Sequence, residues 1–310
     1  MNKFKNLLAK KDMVVLDGAL ATQLEAMGLD ISGKLWSAKH IAQNPSAIKQ
    51  IHRNYLSAGS DVITTASYQA TIPGLVQAGF SEAQAYELIV KTSLIAREAV
   101  DEFMRESGAA RTPLVAASIG PYGAYLSDGS EYRGDYNLSA DEFKAFHEPR
   151  IRAVLDGGAD LLAIETMPSF NETKAICGLL EQKFSEICCW ISFTARNERE
   201  ISDGTSLNEL VEVLENSPNV IAYGFNCINE HLVGGLLENL KLAGATKPLV
   251  IYPNAGAVYD AKTQKWSDKP DENELLKYIS KWRKLGVKLI GGCCQTTPNF
   301  IAALNKSLNS

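Results

Sequence analysis

The feature that most constrains this 310-residue chain is a regular alternation of short apolar runs with longer stretches of helical periodicity. Eight runs, at 13–16, 61–65, 114–118, 160–164, 189–194, 220–225, 249–252 and 288–290, are rich in Val, Ile, Leu or Ala and almost unbroken in apolarity. That is the pattern of parallel strands buried on both faces. Six intervening segments, 81–105, 140–156, 171–184, 206–214, 230–243 and 271–285, carry apolar residues at helical spacing and are long enough to cross back over a sheet. Three junctions place a glycine between helix and strand: Gly59 before Asp61, Gly158 before Asp160 and Gly286 before Lys288. Glycine there supplies the left-handed residue that ends a helix.

Eight such units without a Pro/Ser-rich linker predict an α/β protein in which residues 1–310 form one domain, a single (β/α)8 TIM barrel. The alternative is an open doubly wound sheet, but no Gly-x-Gly-x-x-Gly follows the first strand. Two connections, 121–138 and 252–271, exceed the usual βα loop and follow the third and seventh strands, so they belong to the C-terminal mouth where barrel active sites are built.

Composition narrows the function class. Thirty-one basic against 36 acidic residues give a net charge of -5, and no block of five like charges occurs. A nucleic-acid partner needs a concentrated basic face, so a small molecule is the expected partner. The longest uncharged stretch, 62–81, contains Thr64, Thr65, Ser67, Gln69 and Pro73, poor company for hydrocarbon, and no membrane span is expected. The first twelve residues have no secretory h-region, which points to the cytoplasm and to six cysteines held as reduced thiols.

Three of those thiols fall at strand ends: Cys227 after the sixth strand, Cys293 and Cys294 after the eighth. Only one strand separates the sixth and eighth in a barrel, so the sulfurs have a route to one point. The spacing leaves two readings open, a three-thiolate zinc site or ordinary packing of buried cysteine. Cys177, Cys188 and Cys189 stand away from the mouth and read as packing. The four histidines (His40, His52, His147, His231) lie at no strand mouth, so a histidine metal site or triad is unsupported and surface or satisfied, partly buried positions are expected. Two carboxylates, Asp17 and Glu165, do end apolar strands. Each needs a cation there. Either a salt bridge crosses the barrel, or they receive a substrate ammonium while the amides around Gly18 and Ala19 bind its carboxylate.

Leu16-Asp17-Gly18-Ala19, Gly224-Phe225-Asn226-Cys227 and Gly291-Gly292-Cys293-Cys294 together resemble the homocysteine S-methyltransferase family, over essentially the whole chain. The segments 66–71 and 127–136 and Tyr252-Pro253-Asn254 resemble its branch that uses S-methylmethionine or S-adenosylmethionine. The resemblance implies one Zn2+ per chain on Cys227, Cys293 and Cys294, with the homocysteine sulfur in the open position. It also implies that Asp17 and Glu165 bind the amino group, within a substrate site that includes Gly18, Ala19 and Asn226. The implied reaction moves a methyl group from a sulfonium donor to the thiolate of L-homocysteine, giving methionine. Betaine-using relatives carry tyrosine after the glutamate, where this chain has Thr166, and a C-terminal dimerisation extension that it lacks. A monomer or weak homo-oligomer is the corresponding expectation. Tyr122, Tyr125, Tyr132 and Tyr136 of the third loop are candidates to face the sulfonium. Three competing readings use the same residues: a noncatalytic zinc or thiol-binding barrel, a family member acting on selenocysteine or selenohomocysteine, and a phosphate-binding barrel using Gly291-Gly292.

Overall fold

The structure is a computed structural model that describes residues 2–109, 112–256, 259–260, 265–266 and 272–309. Eight parallel strands form one sheet: β1 (Val14–Val15), β2 (Val62–Thr64), β3 (Leu114–Ile119), β4 (Leu161–Met167), β5 (Cys189–Phe193), β6 (Val220–Asn226), β7 (Leu249–Tyr252) and β8 (Val287–Ile290). The order runs β1-β8-β7-β6-β5-β4-β3-β2, so the first and last strands are neighbours, as in a (β/α)8 barrel. The β1–β2 seam is closed by a side chain. The Asp61 amide donates to Val15 O at 2.7 Å while the Asp61 carboxylate accepts from Val15 N at 2.9 Å and from Lys11 Nζ at 2.7 Å.

Eight helices follow the strands: α1 (Pro45–Ala58), α2 (Glu82–Ser107), α3 (Ala140–Asp156), α4 (Phe170–Lys183), α5 (Leu207–Asn216), α6 (Glu230–Leu242), α7 (Glu272–Lys284) and α8 (Pro298–Asn309). The middle six match the helical periodicity of the sequence; α1 and α8 are additional. The glycine junctions behave as expected, with φ of 111° at Gly59, 86° at Gly158 and 95° at Gly286. The expected loop at 252–271, and the start of the helix expected at 271, lie largely outside the described residues.

Strand period sorts the core into two layers. Val14, Leu16, Val62, Leu114, Ala116, Leu161, Ala163, Trp190, Ala222, Val250 and Leu289 fill the barrel interior, and the alternate residues pack outward on the helices. The N-terminal helix Lys3–Lys10 closes the lower end by burying Phe4 and Leu8 in that interior. No helix among the described residues is long and apolar enough to cross a membrane.

Candidate active site

Continuing the same two-residue period upward puts a polar side chain at the top of most strands: Thr64, Ser118, Glu165, Ser192, Asn226 and Tyr252. All but Ser192, which hydrogen-bonds the Tyr252 hydroxyl, line the floor of a cavity of about 730 Å3 at the C-terminal mouth. Leu161 and Ala163 point inward, and Glu165 is next in phase on β4. A register shift between Ile164 and Met167 then bends the strand at this point.

Asp17 and Glu165 are buried, and among the described residues neither forms an ion pair. The cross-barrel salt bridge is therefore not what the structure holds. Asp17 accepts from the Thr64 amide at 2.7 Å and from its hydroxyl at 3.1 Å. Glu165 accepts from the Ser118 hydroxyl. Burial pushes Asp17 up to about 8, against the Thr64 hydrogen bonds and with help from the charge of Glu165. Burial pushes Glu165 up to about 7, against the Ser118 bond and with help from Cys293. Both carboxylates thus await a cation.

The three mouth cysteines converge, with all three sulfurs within 4.8 Å of one another. Cys227 Sγ lies 2.7 Å from Cys293 Sγ and 3.6 Å from Cys294 Sγ. Loop 252–255 laces their backbones together. Cys227 N donates to Tyr252 O at 3.3 Å, Cys293 N to Pro253 O at 2.8 Å, and Ala255 N to Cys294 O at 3.1 Å. Hydrogen bonding from Cys227 and Cys294 holds the Cys293 thiol well below its usual range, while the same contact with Cys293 pushes Cys227 well above it. One thiolate is accommodated; three would repel one another unless a cation neutralised them. A tetrahedral ion with sulfur ligands at about 2.3 Å spaces the sulfurs about 3.8 Å apart, close to the Cys227–Cys294 edge; the Cys227–Cys293 edge must open by about 1 Å. The donor set and its spacing fit a thiophilic divalent ion. Cys177, Cys188 and Cys189 are buried away from this cluster, as packing residues.

Backbone strain gathers at the same place. Among the described residues the non-glycine positive φ angles are Trp36 (46°), Ser127 (55°), Thr166 (60°), Cys227 (52°) and Gln295 (67°). All five line the cavity. Each costs on the order of 1 kcal/mol or more, and such residues concentrate at functional sites. Asn226 is a clamp for one of them: Oδ1 accepts from Thr166 N at 2.8 Å, while Nδ2 donates to Thr166 Oγ1 at 2.8 Å and points at Cys293 Sγ at 3.9 Å.

Several expectations need correction. The Ala19 amide is not free; it donates to Thr296 Oγ1 at 3.3 Å. The amides of Gly291 and Gly292 donate to Ile251 O and Asp17 O, both at 3.1 Å, so they do not form a phosphate cradle. Of the four loop tyrosines only Tyr132 lines the cavity. Tyr122, Tyr125 and Tyr136 pack with Phe143 and Phe146 over α3. Among the described residues the rings that line it are Tyr132, Trp36, Tyr68 and Tyr252. His52 is fully buried with neither ring nitrogen hydrogen-bonded, and burial lowers it to about 4. His147 is buried and satisfied: Arg150 donates to Nδ1 at 2.8 Å, so the proton sits on Nε2, which donates to Glu172 at 2.6 Å. Glu172 also accepts from Tyr122 N and the Tyr136 hydroxyl, which ties the third loop to α3 and α4.

The cavity lining has a one-sided charge. It includes Asp17, Glu25, Asp30, Asp128, Glu131 and Glu165 with the three cysteines, and among the described residues no Lys, Arg or His. Such a chamber attracts cations and repels anions.

Residues 14–308 match the family model for homocysteine S-methyltransferase. The chain is 47% identical over 305 residues to the homocysteine S-methyltransferase of Escherichia coli (strain K12), covering 98% of this chain and 97% of that one. It is 44% identical over 316 residues to homocysteine S-methyltransferase YbgG of Bacillus subtilis (strain 168), across the whole of both chains. Among solved structures, the metallated form of the homocysteine methyltransferase MmuM from Escherichia coli superimposes with a TM-score of 0.90 at 45% identity, covering 98% of this chain and 99% of that one.

Proposed function

The chain belongs to the homocysteine S-methyltransferase family and is a methyltransferase; on that premise we propose that it moves a methyl group from a sulfonium donor, S-methylmethionine or S-adenosylmethionine, to L-homocysteine, with one zinc ion held by Cys227, Cys293 and Cys294. The observation that carries this reading is the pairing of converging thiols with a cavity lined by carboxylates and, among the described residues, no Lys, Arg or His. When bound, the zinc keeps a substrate thiol ionised at neutral pH, where a free thiol of pKa near 8.5 is only about 3% thiolate.

The chain's own residues do the rest. Asp17 and Glu165 receive the homocysteine ammonium, which restores the charge that burial suppresses in them. Thr64 and Ser118 fix the two carboxylates, and Asn226 fixes the Thr166 turn beside Glu165. Gly18 gives the floor its close fit: a Cβ there would lie 2.7 Å from Thr296 Oγ1 and 3.0 Å from the Tyr55 hydroxyl. Trp36, Tyr68 and Tyr132 wall the cavity and limit water. The homocysteine sulfur forms a bond to the methyl carbon as the donor's S–CH3 bond breaks and its electron pair returns to the donor sulfur. Negative and positive charge cancel, so a dry, oriented site favours the transfer. With S-methylmethionine both products are methionine. An anionic folate donor is disfavoured by the acidic lining.

All the proposed site residues come from one chain, so a monomer carries a complete site, and the free thiols suit the cytoplasm. The test is to incubate zinc-loaded protein with homocysteine and, separately, S-methylmethionine, S-adenosylmethionine, betaine and methyltetrahydrofolate. Methionine from the sulfonium donors alone is the expected result. Bound zinc with no methionine from any donor supports the noncatalytic barrel instead.

A further inference from the structure

The carboxylates that line the upper cavity differ in what already satisfies them. Asp30 is paired with Lys39 at 2.6 Å and accepts from Ser32 N at 2.9 Å. Asp128 accepts from Ser130 N at 2.9 Å and faces Arg133 at 3.9 Å. Glu25 is exposed on the helix Leu20–Ala26. Glu131 is different: it is half-buried, and its Oε2 is buried with no hydrogen-bond partner. It sits in the helical turn Ser130–Tyr132, which is held rigidly because Gly123 packs against it; a Cβ on Gly123 would lie 2.6 Å from Glu131 N. A buried carboxylate oxygen left without a donor is costly, and a wall that keeps one is prepared for a ligand that supplies it.

Two tyrosines relate Glu131 to the sulfur cluster. Burial raises the Tyr68 phenol, and the charges of Glu131 and Cys227 add to it. Burial raises the Tyr132 phenol, with Cys227, Cys294 and Glu131 adding. Glu131, both tyrosines and the three cysteines all line this one cavity. A donor whose sulfonium lies over the cysteines has its α-ammonium at the end of a short methylene chain. S-methylmethionine and S-adenosylmethionine share that 2-amino-4-sulfoniobutyrate head.

We propose that the Glu131 carboxylate binds the α-ammonium group of the sulfonium donor, as Asp17 and Glu165 do for homocysteine. The assignment rests on the proposed function and extends it to a residue that distinguishes amino-acid sulfonium donors from simple ones. Burial raises the Glu131 carboxyl, with Asp128 adding to it, against backbone hydrogen bonds from Glu131 and Gly129 and the charge of Arg133.

The test uses zinc-loaded wild type and Glu131→Gln with two donors, S-methylmethionine and its desamino analogue 4-(dimethylsulfonio)butyrate. The expected result is a donor KM at least tenfold higher in E131Q, with the homocysteine KM within twofold of wild type. In wild type the desamino donor should be at least tenfold poorer in kcat/KM, and in E131Q that penalty should disappear. An unchanged donor KM overturns the assignment, and so does a penalty that persists undiminished. Calorimetric binding of S-methylmethionine needs no turnover and separates this from the proposed function. A wild type that binds the donor without forming methionine defeats the proposed function alone; equal donor affinity in wild type and E131Q defeats the role of Glu131. A thermal midpoint for E131Q matching wild type identifies the effect as local, and Glu131→Asp should recover part of the affinity.

Discussion

Asn226 holds Thr166 at two points, accepting from its amide and donating to its hydroxyl, each at 2.8 Å. Thr166 has a φ of 60° and directly follows Glu165, so the clamp maintains a strained turn beside a substrate carboxylate. Asn226→Ala leaves the buried Thr166 amide without its acceptor. A loss of about 1–3 kcal/mol in urea unfolding is expected, with a higher homocysteine KM. Unchanged stability would show that the turn needs no clamp.

The metal centre predicts a sharp division among the cysteines. Serine at position 227, 293 or 294 should abolish stoichiometric metal, measured by elemental analysis, and lower methionine formation by about 100-fold or more. Cys177→Ser and Cys188→Ser should leave both intact, because those thiols only pack.

The two buried carboxyls predict a pH dependence with opposite signs for stability and binding. A carboxyl whose folded pKa is raised contributes most to stability below its unfolded value and loses that contribution as pH rises through the folded value. With Asp17 at about 8 and Glu165 at about 7, metal-free protein should lose stability between pH 4 and pH 8 through this pair. Homocysteine binding gains over the upper part of that window, because its ammonium needs the ionised forms. Asp17→Asn should accordingly raise the stability of metal-free protein at pH 8 by about 1–3 kcal/mol, measured by urea melts, while weakening homocysteine binding.

Gly224 of the Gly-Phe-Asn-Cys segment is required by packing. A Cβ there would lie 2.0 Å from Val250 O on the neighbouring strand. Gly224→Ala should be destabilised by about 2 kcal/mol or more in denaturant melts, since a backbone carbonyl cannot step aside.

Much of this was legible in the sequence because it depends on strand order and phase. The convergence of Cys227 with Cys293 and Cys294 follows from β6 and β8 flanking β7. The partnership of Ser118 with Glu165 is legible only through strand phase: the period that carries Leu161 and Ala163 inward to Glu165 also carries Leu114 and Ala116 to Ser118. Helix α1 was overlooked because His52 interrupts the apolar stripe of Ile48, Ile51 and Tyr55 on its buried face. The tyrosines of the third loop were beyond reach for a different reason. An irregular loop has no period, so nothing local indicates that Tyr132 turns to the cavity while Tyr122, Tyr125 and Tyr136 turn to Phe143 and Phe146.

The sulfur environment of the bound metal tests the account most directly. X-ray absorption on the zinc-loaded protein should give one zinc per chain with three sulfur neighbours, rising to four when homocysteine is added and returning to three after S-methylmethionine converts it to methionine. A sulfur count that homocysteine leaves unchanged would contradict the central claim.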